Sequence, residues 1–191
     1  MTKRLKLFLG ISYIIILFVF LYVIFSYVEL RRLDDFLYYK ELQIFLEQMV
    51  GKNLYFNLLI FFLFSLVWVS LLGFGSPLLL ISGILFGKWI GTFISVFSIS
   101  IGSLVLYSLA SFFFKDLVYN IFEKKFLKYI YLFRKNEFNY FLAFRLAGGL
   151  GIPFGLQNIL PVLFNIKKLN YFFASFFGFI PMFFIWNTIG S

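Results

Sequence analysis

From Gly73 to Phe114 the chain carries one charged side chain, Lys88, yet it is interrupted by Gly75, Pro77, Gly83, Gly87, Gly91 and Gly102. A membrane-spanning helix needs only about 20 apolar residues, so this run is too long for one crossing. Its first third also holds more helix breakers than an ordinary span contains. Backbone that leaves the helix within a bilayer must be buried in protein or line a cavity, because lipid offers its N–H and C=O groups no partners. Glycine- and proline-broken apolar segments therefore point to a transport pathway, though not to its cargo.

Composition agrees. With 62% hydrophobic and 13% charged residues and a mean hydropathy of +0.97, the chain falls outside the soluble class, where charged residues make up roughly 25%. Phe supplies 32 of 191 residues, an excess shared with Ile, Tyr, Asn and Lys. That breadth reads as codon bias, so single aromatics are not taken as ligand platforms.

Cys and His are both absent. Disulfides, thiol nucleophiles, imidazole acid–base catalysis and most zinc sites are excluded together. The acids Glu29, Asp34, Asp35, Glu41, Glu47, Asp116, Glu123 and Glu137 all lie outside the apolar runs. No carboxylate pair is thus expected at membrane depth for proton transfer or cation coupling. The chain reads as a non-enzyme without metal or cofactor.

Lys3, Arg4 and Lys6 precede the apolar stretch 7–28. It is longer than a signal-peptide core of about 7–15 residues and lacks a small-residue cleavage motif. An uncleaved first span with a cytoplasmic N-terminus is expected. Residues 29–53 follow as a polar loop with near-balanced charge, and Leu33, Phe36, Leu37, Leu42, Phe45, Leu46 and Met49 recur at helical spacing. Leu54 to Leu72 reads as a second span. The broken run then divides into a re-entrant hairpin over 75–88 and a third span over 89–114.

Residues 115–139 carry the bases Lys115, Lys124, Lys125, Lys128, Arg134 and Lys135 against three acids, with Val118, Ile121, Phe122, Phe126, Tyr129, Ile130 and Phe133 on one helical stripe. An interfacial amphipathic helix facing anionic headgroups is expected. Orientation conflicts: counting crossings puts this connector outside, whereas its net charge of +3 argues for inside. Residues 138–166 are apolar again, with Arg145 and the breakers Gly148, Gly149, Gly151, Pro153, Gly155 and Pro161, and a last span at 169–189 contains Gly178 and Pro181. The recurrence of a broken segment fits inverted-repeat transporters.

Arg145 is the leading site candidate. A guanidinium within an apolar run costs about 2.5–3.5 kcal/mol, so it should face protein or water and take a partner. Its planar fork suits a phosphate; snorkelling to an interface is the competing reading. Lys88, at the hairpin exit, is a second cationic candidate or an interface anchor. Gln157 and Asn158, between Pro153 and Pro161, either cap freed backbone or line a polar path. Gly83, Gly87 and Gly91 form a small-residue ladder suited to close helix packing. Gly75, Pro77, Gly149, Pro153, Pro161, Gly178 and Pro181 complete the set expected to shape hairpins and crossings. Trp89 and Trp186 read as interface anchors.

The order Gly75-Ser76-Pro77, Ser82-Gly83-Ile84-Leu85-Phe86-Gly87, Gly91, Gly102 and Tyr107, then Arg145, Pro153, Asn158 and Gly178-x-x-Pro181, resembles the DedA-like VTT-domain superfamily, once called SNARE-associated Golgi proteins, over roughly residues 55 to 190. The resemblance implies two re-entrant hairpins meeting from opposite faces. It also implies phospholipid scrambling or polyprenyl phosphate recycling, in some members dependent on proton-motive force. Two departures stand out. Leu78, Leu79 and Leu80 occupy the place where many members carry an acid, and Ser111 stands near a common arginine. Relatives usually continue through another helix beyond Gly190-Ser191, so a short form or fragment is expected.

Together these features predict an all-α polytopic membrane protein with about four spans, two opposed re-entrant hairpins and an interfacial helix. Its organisation is an N-terminal part over 1–53 and a membrane domain over 54–191. The expected activity is moving an anionic lipid, phospholipid or polyprenyl phosphate, between leaflets of a bacterial inner membrane. An ion-coupled transporter of a small solute and a non-transporting scaffold are the alternatives. Membrane lipids are the expected partners, a homo-oligomer is left open, and no nucleic acid is expected.

Overall fold

A computed structural model describes residues 53–71, 75–113 and 135–191, with scattered positions in 10–22, 44–48 and 115–133. The chain forms two compact units, Met1–Leu54 and Tyr55–Ser191. The expected N-terminal span and polar-loop helix lie largely outside the described residues. So does most of the 115–139 connector, of which Ile130 is buried and Phe133 stacks on Phe164 with ring centroids 4.0 Å apart.

The described residues of the second unit are mostly helical, joined by short non-helical connections. Its elements are α1 (Leu54–Ser70), α2 (Gly75–Phe113), α3 (Glu137–Leu146), a 3-10 turn (Gly148–Gly151), α4 (Phe154–Ile159), a 3-10 segment (Leu160–Phe164) and α5 (Lys168–Gly190). By length and apolar composition α2 and α5 can each cross a membrane, and α1 is a shorter apolar helix of 17 residues.

α2 is two helices joined at Gly87, whose φ of 70° and ψ of 174° leave the helical region. Only glycine occupies that region without strain. The arms double back on each other. The Ser95 hydroxyl donates to the Ser82 hydroxyl at 2.7 Å, although thirteen residues of continuous helix would separate them by about 20 Å. α1 and the short arm also run in opposite directions. Phe61 of α1 meets Phe86 at the far end of that arm, with ring centroids 5.5 Å apart.

Residues 75–86 therefore form one arm that packs antiparallel to both α1 and the long arm, where sequence patterning predicts a self-contained hairpin over 75–88. The arm is about 18 Å long, too short to cross hydrocarbon about 30 Å thick. The long arm, 88–113, lies beside α1, where a Cβ on Gly102 would come within 2.9 Å of the Leu66 carbonyl. Small residues at such crossings let backbones approach and gain dispersion contacts that lipid cannot match.

α5 is the central post. Trp89 and Phe97 of the long arm meet Phe184 and Phe176 of α5, at centroid distances of 5.0 and 6.2 Å. Tyr107 stacks on Tyr171 at 4.4 Å and donates its hydroxyl to the Ile166 carbonyl at 2.7 Å. The short arm crosses the other end, where Cβ atoms on Gly83 and Gly190 would each lie 2.5 Å from the carbonyls of Asn187 and Leu80. Pro181 sits within α5 without ending it. Pro77 lies in the first turn of α2, where its missing N–H has no helical acceptor to lose.

Candidate functional site

The second broken segment reverses the chain as the first does. After α3, Gly148, Gly149, Leu150 and Gly151 all have positive φ, from 56° at Leu150 to 77° at Gly151. Ile152 and Pro153 are extended before α4 starts. The reversal carries Gln157 and Asn158 back alongside Arg145. Pro161 sits in the first turn of the following 3-10 segment, and buried Val162 and Leu163 pack in the core with Phe141 and Tyr171.

Arg145 is 2% exposed, and its guanidinium is held by neutral groups. One terminal nitrogen donates to Asn158 Oδ1 at 2.6 Å and to the Tyr171 hydroxyl at 2.9 Å. The other reaches Gln157 Oε1 at 3.4 Å. The rings of Phe179, Phe141 and Tyr171 surround the cation, with centroids 4.7, 4.8 and 5.6 Å from its central carbon. Such contacts offset part of the lost hydration. Arg145 Nε and Asn158 Nδ2 are buried donors with no hydrogen-bond partner. Among the described residues no carboxylate pairs with Arg145.

Gln157 ties the guanidinium to the turn. Its Nε2 donates to the carbonyls of Ile152 and Gly148, at 2.6 and 3.3 Å. A Cβ on Gly149 would collide with the Gln157 carboxamide, so glycine is required there for contact as well as for φ. Gly178 plays the matching part on α5, where a Cβ would collide with Cβ of Arg145.

A cavity of about 210 Å³ opens between the two broken segments. The short arm of α2 contributes Gly75, Ser76 and Leu79; the second reversal contributes Arg145, Gly148, Phe154 and Gln157; and α5 contributes Phe179, Met182, Phe183 and Trp186. The segments meet there directly, since a Cβ on Gly75 would stand 3.8 Å from the Phe154 ring.

The structure thus brings three of the four candidate polar residues together: Arg145, Gln157 and Asn158. Lys88 is not among them. It is exposed beside the Gly87 turn and does not line the cavity. Trp186, read from sequence as an interface anchor, stands on the cavity wall. Tyr171 and the cluster of Ser82, Ser95 and Asn187 escape sequence reading. Asn187 Oδ1 accepts from Ser82 Oγ at 2.5 Å across 105 residues. An uncapped asparagine within an apolar span was the available signal for Asn187; Tyr171 had none.

No solved structure matches this chain. The family model described as the VTT domain matches residues 73–191, which takes in both arms of α2, both polar clusters and the whole of α5. On that match over more than half its length, this membrane protein belongs to the VTT-domain family.

Proposed function

We propose that this protein moves an anionic lipid between leaflets, with the headgroup passing through the cavity at Arg145 while the tail stays in the bilayer. One observation carries the proposal. Among the described residues the buried guanidinium is held by neutral acceptors alone, and it keeps an unpartnered donor beside a cavity shared by the two broken segments. A buried cation without an anion is costly, and a passing phosphate is the ligand that would complete it.

The same geometry supports a topology that removes the conflict over orientation. In it, α1 and the short arm of α2 form one re-entrant hairpin from the outer face. The long arm then crosses inward, so the basic connector at 115–139 lies on the cytoplasmic side with Lys3, Arg4 and Lys6. That is the side the positive-inside rule assigns to short basic loops. α3 and α4 form the opposed hairpin from within, and α5 crosses outward. The bacterial inner membrane is the proposed location.

Leaflet exchange of a fluorescent phospholipid, measured in liposomes with dithionite quenching, tests the function. The unmodified protein should equilibrate the probe without added energy. Arg145→Ala should slow exchange at least about tenfold while remaining inserted, equivalent to about 1.4 kcal/mol of lost stabilisation. Arg145→Lys should recover part of the rate, because a lysine keeps the charge but lacks the bidentate fork. Full activity in Arg145→Ala would reduce this residue to a structural anchor.

A further inference from the structure

Arg145 is the one charged side chain among the described residues lining the cavity. The segments that build it hold little else. Residues 54–114 contain only Lys88, residues 138–166 only Arg145, and residues 169–191 no charge at all. The rest of the lining is largely apolar, with Leu79, Phe154, Phe179, Met182, Phe183 and Trp186. The site accordingly carries one positive charge in a low-dielectric enclosure, with one spare buried donor on that same side chain, Arg145 Nε.

Building on the leaflet-exchange reading, we propose that this cavity selects lipid phosphates bearing a single negative charge, favouring phosphodiesters over phosphomonoesters. One guanidinium neutralises one negative charge. A second charge would be desolvated without a counter-ion, which a buried site resists strongly. A phosphodiester stays at −1, whereas a monoester has a second pKa of about 6 and carries about −1.5 to −2 at neutral pH. Diester glycerophospholipids such as phosphatidylglycerol thus rank ahead of polyprenyl phosphates, which are monoesters.

The test compares two probes in liposomes of one composition, labelled phosphatidylglycerol as the diester and labelled phosphatidic acid as the monoester. Rates are taken above those of protein-free vesicles. At pH 8.5 phosphatidylglycerol should exchange at least about tenfold faster, a difference of about 1.4 kcal/mol in barrier. At pH 5 phosphatidic acid, then singly charged, should approach the phosphatidylglycerol rate, which itself stays constant. An arginine keeps its proton across this range, and Tyr171 is the other titratable side chain bonded to it, so the ligand is what titrates.

Gln157→Lys, which sets a second cation beside Arg145, should narrow or invert the preference at pH 8.5. Equal rates at pH 8.5, a phosphatidic acid rate indifferent to pH, or an unchanged ratio in folded Gln157→Lys would overturn the selectivity while leaving lipid exchange standing. Exchange of neither probe would remove the exchange reading and the selectivity with it. Should Gln157→Lys not fold, the pH comparison on the unmodified protein decides alone.

Discussion

Ser82 and Ser95 share a hydrogen bond of 2.7 Å across thirteen residues of chain, and Arg145 reaches Asn158 across the same separation at 2.6 Å. Each pair closes a reversal built on glycine with positive φ, and each is held by α5. Asn187 takes the first pair and Tyr171 the second. Sixteen residues of helix set these two residues about 24 Å apart. One continuous helix thereby fixes two polar clusters toward opposite ends, with residues between them lining the cavity.

Gly87 should be required for its backbone alone. Its φ and ψ lie where only glycine is unstrained, and nothing stands within 4 Å of the place a Cβ would occupy. Gly87→Ala should cost about 1–3 kcal/mol. Gly87→Ser should cost the same, because added bulk meets open space. Unfolding midpoints followed by tryptophan fluorescence in detergent would check this, and a serine variant much worse than alanine would reveal a contact instead.

Ser82 and Asn187 should be energetically coupled. Both side chains are fully buried, and Asn187 Nδ2 also donates to the Phe183 carbonyl at 2.8 Å. Ser82→Ala and Asn187→Ala should each lose about 1–3 kcal/mol, since each strands a buried partner. The double variant should lose less than the sum by about 0.5–3 kcal/mol. Additive losses in a double-mutant cycle would mean the pair does not act as a unit.

Gly149 and Gly151 share a positive φ but differ in surroundings. At 149 a Cβ strikes the Gln157 carboxamide, whereas at 151 nothing lies within 4 Å. Gly151→Ala should cost only the left-handed strain of about 1–2 kcal/mol. Gly149→Ala should add a steric cost of about 1–3 kcal/mol. In a Gln157→Ala background the two alanines should become nearly equal in midpoint, and a persisting gap would point to some other contact.

Topology can be read with single cysteines, because the natural chain has none to compete. Asn53→Cys should react with an impermeant maleimide from outside intact cells, and Asp116→Cys only after permeabilisation. Both positions are exposed in the structure. Labelling of both from the same side would rule out an inward crossing by the long arm of α2.

Much about this protein follows from the sequence alone. The membrane class and the two broken segments rest on hydropathy and on the backbone demands of glycine and proline, which are local properties. Arg145 with Gln157 and Asn158 was also legible, because a lone cation beside a glycine–proline cluster is costly wherever the chain goes. The directions of the arms were not. A glycine in an apolar run reads equally as a packing notch or a turn; Gly83 and Gly91 proved to be notches and Gly87 a turn, and tertiary contacts alone made that choice. The Ser82–Asn187 bond joins residues 105 positions apart, and Tyr171 reaches Arg145 from α5. Such partners are selected by which helix faces which, a global balance of packing that no local pattern records.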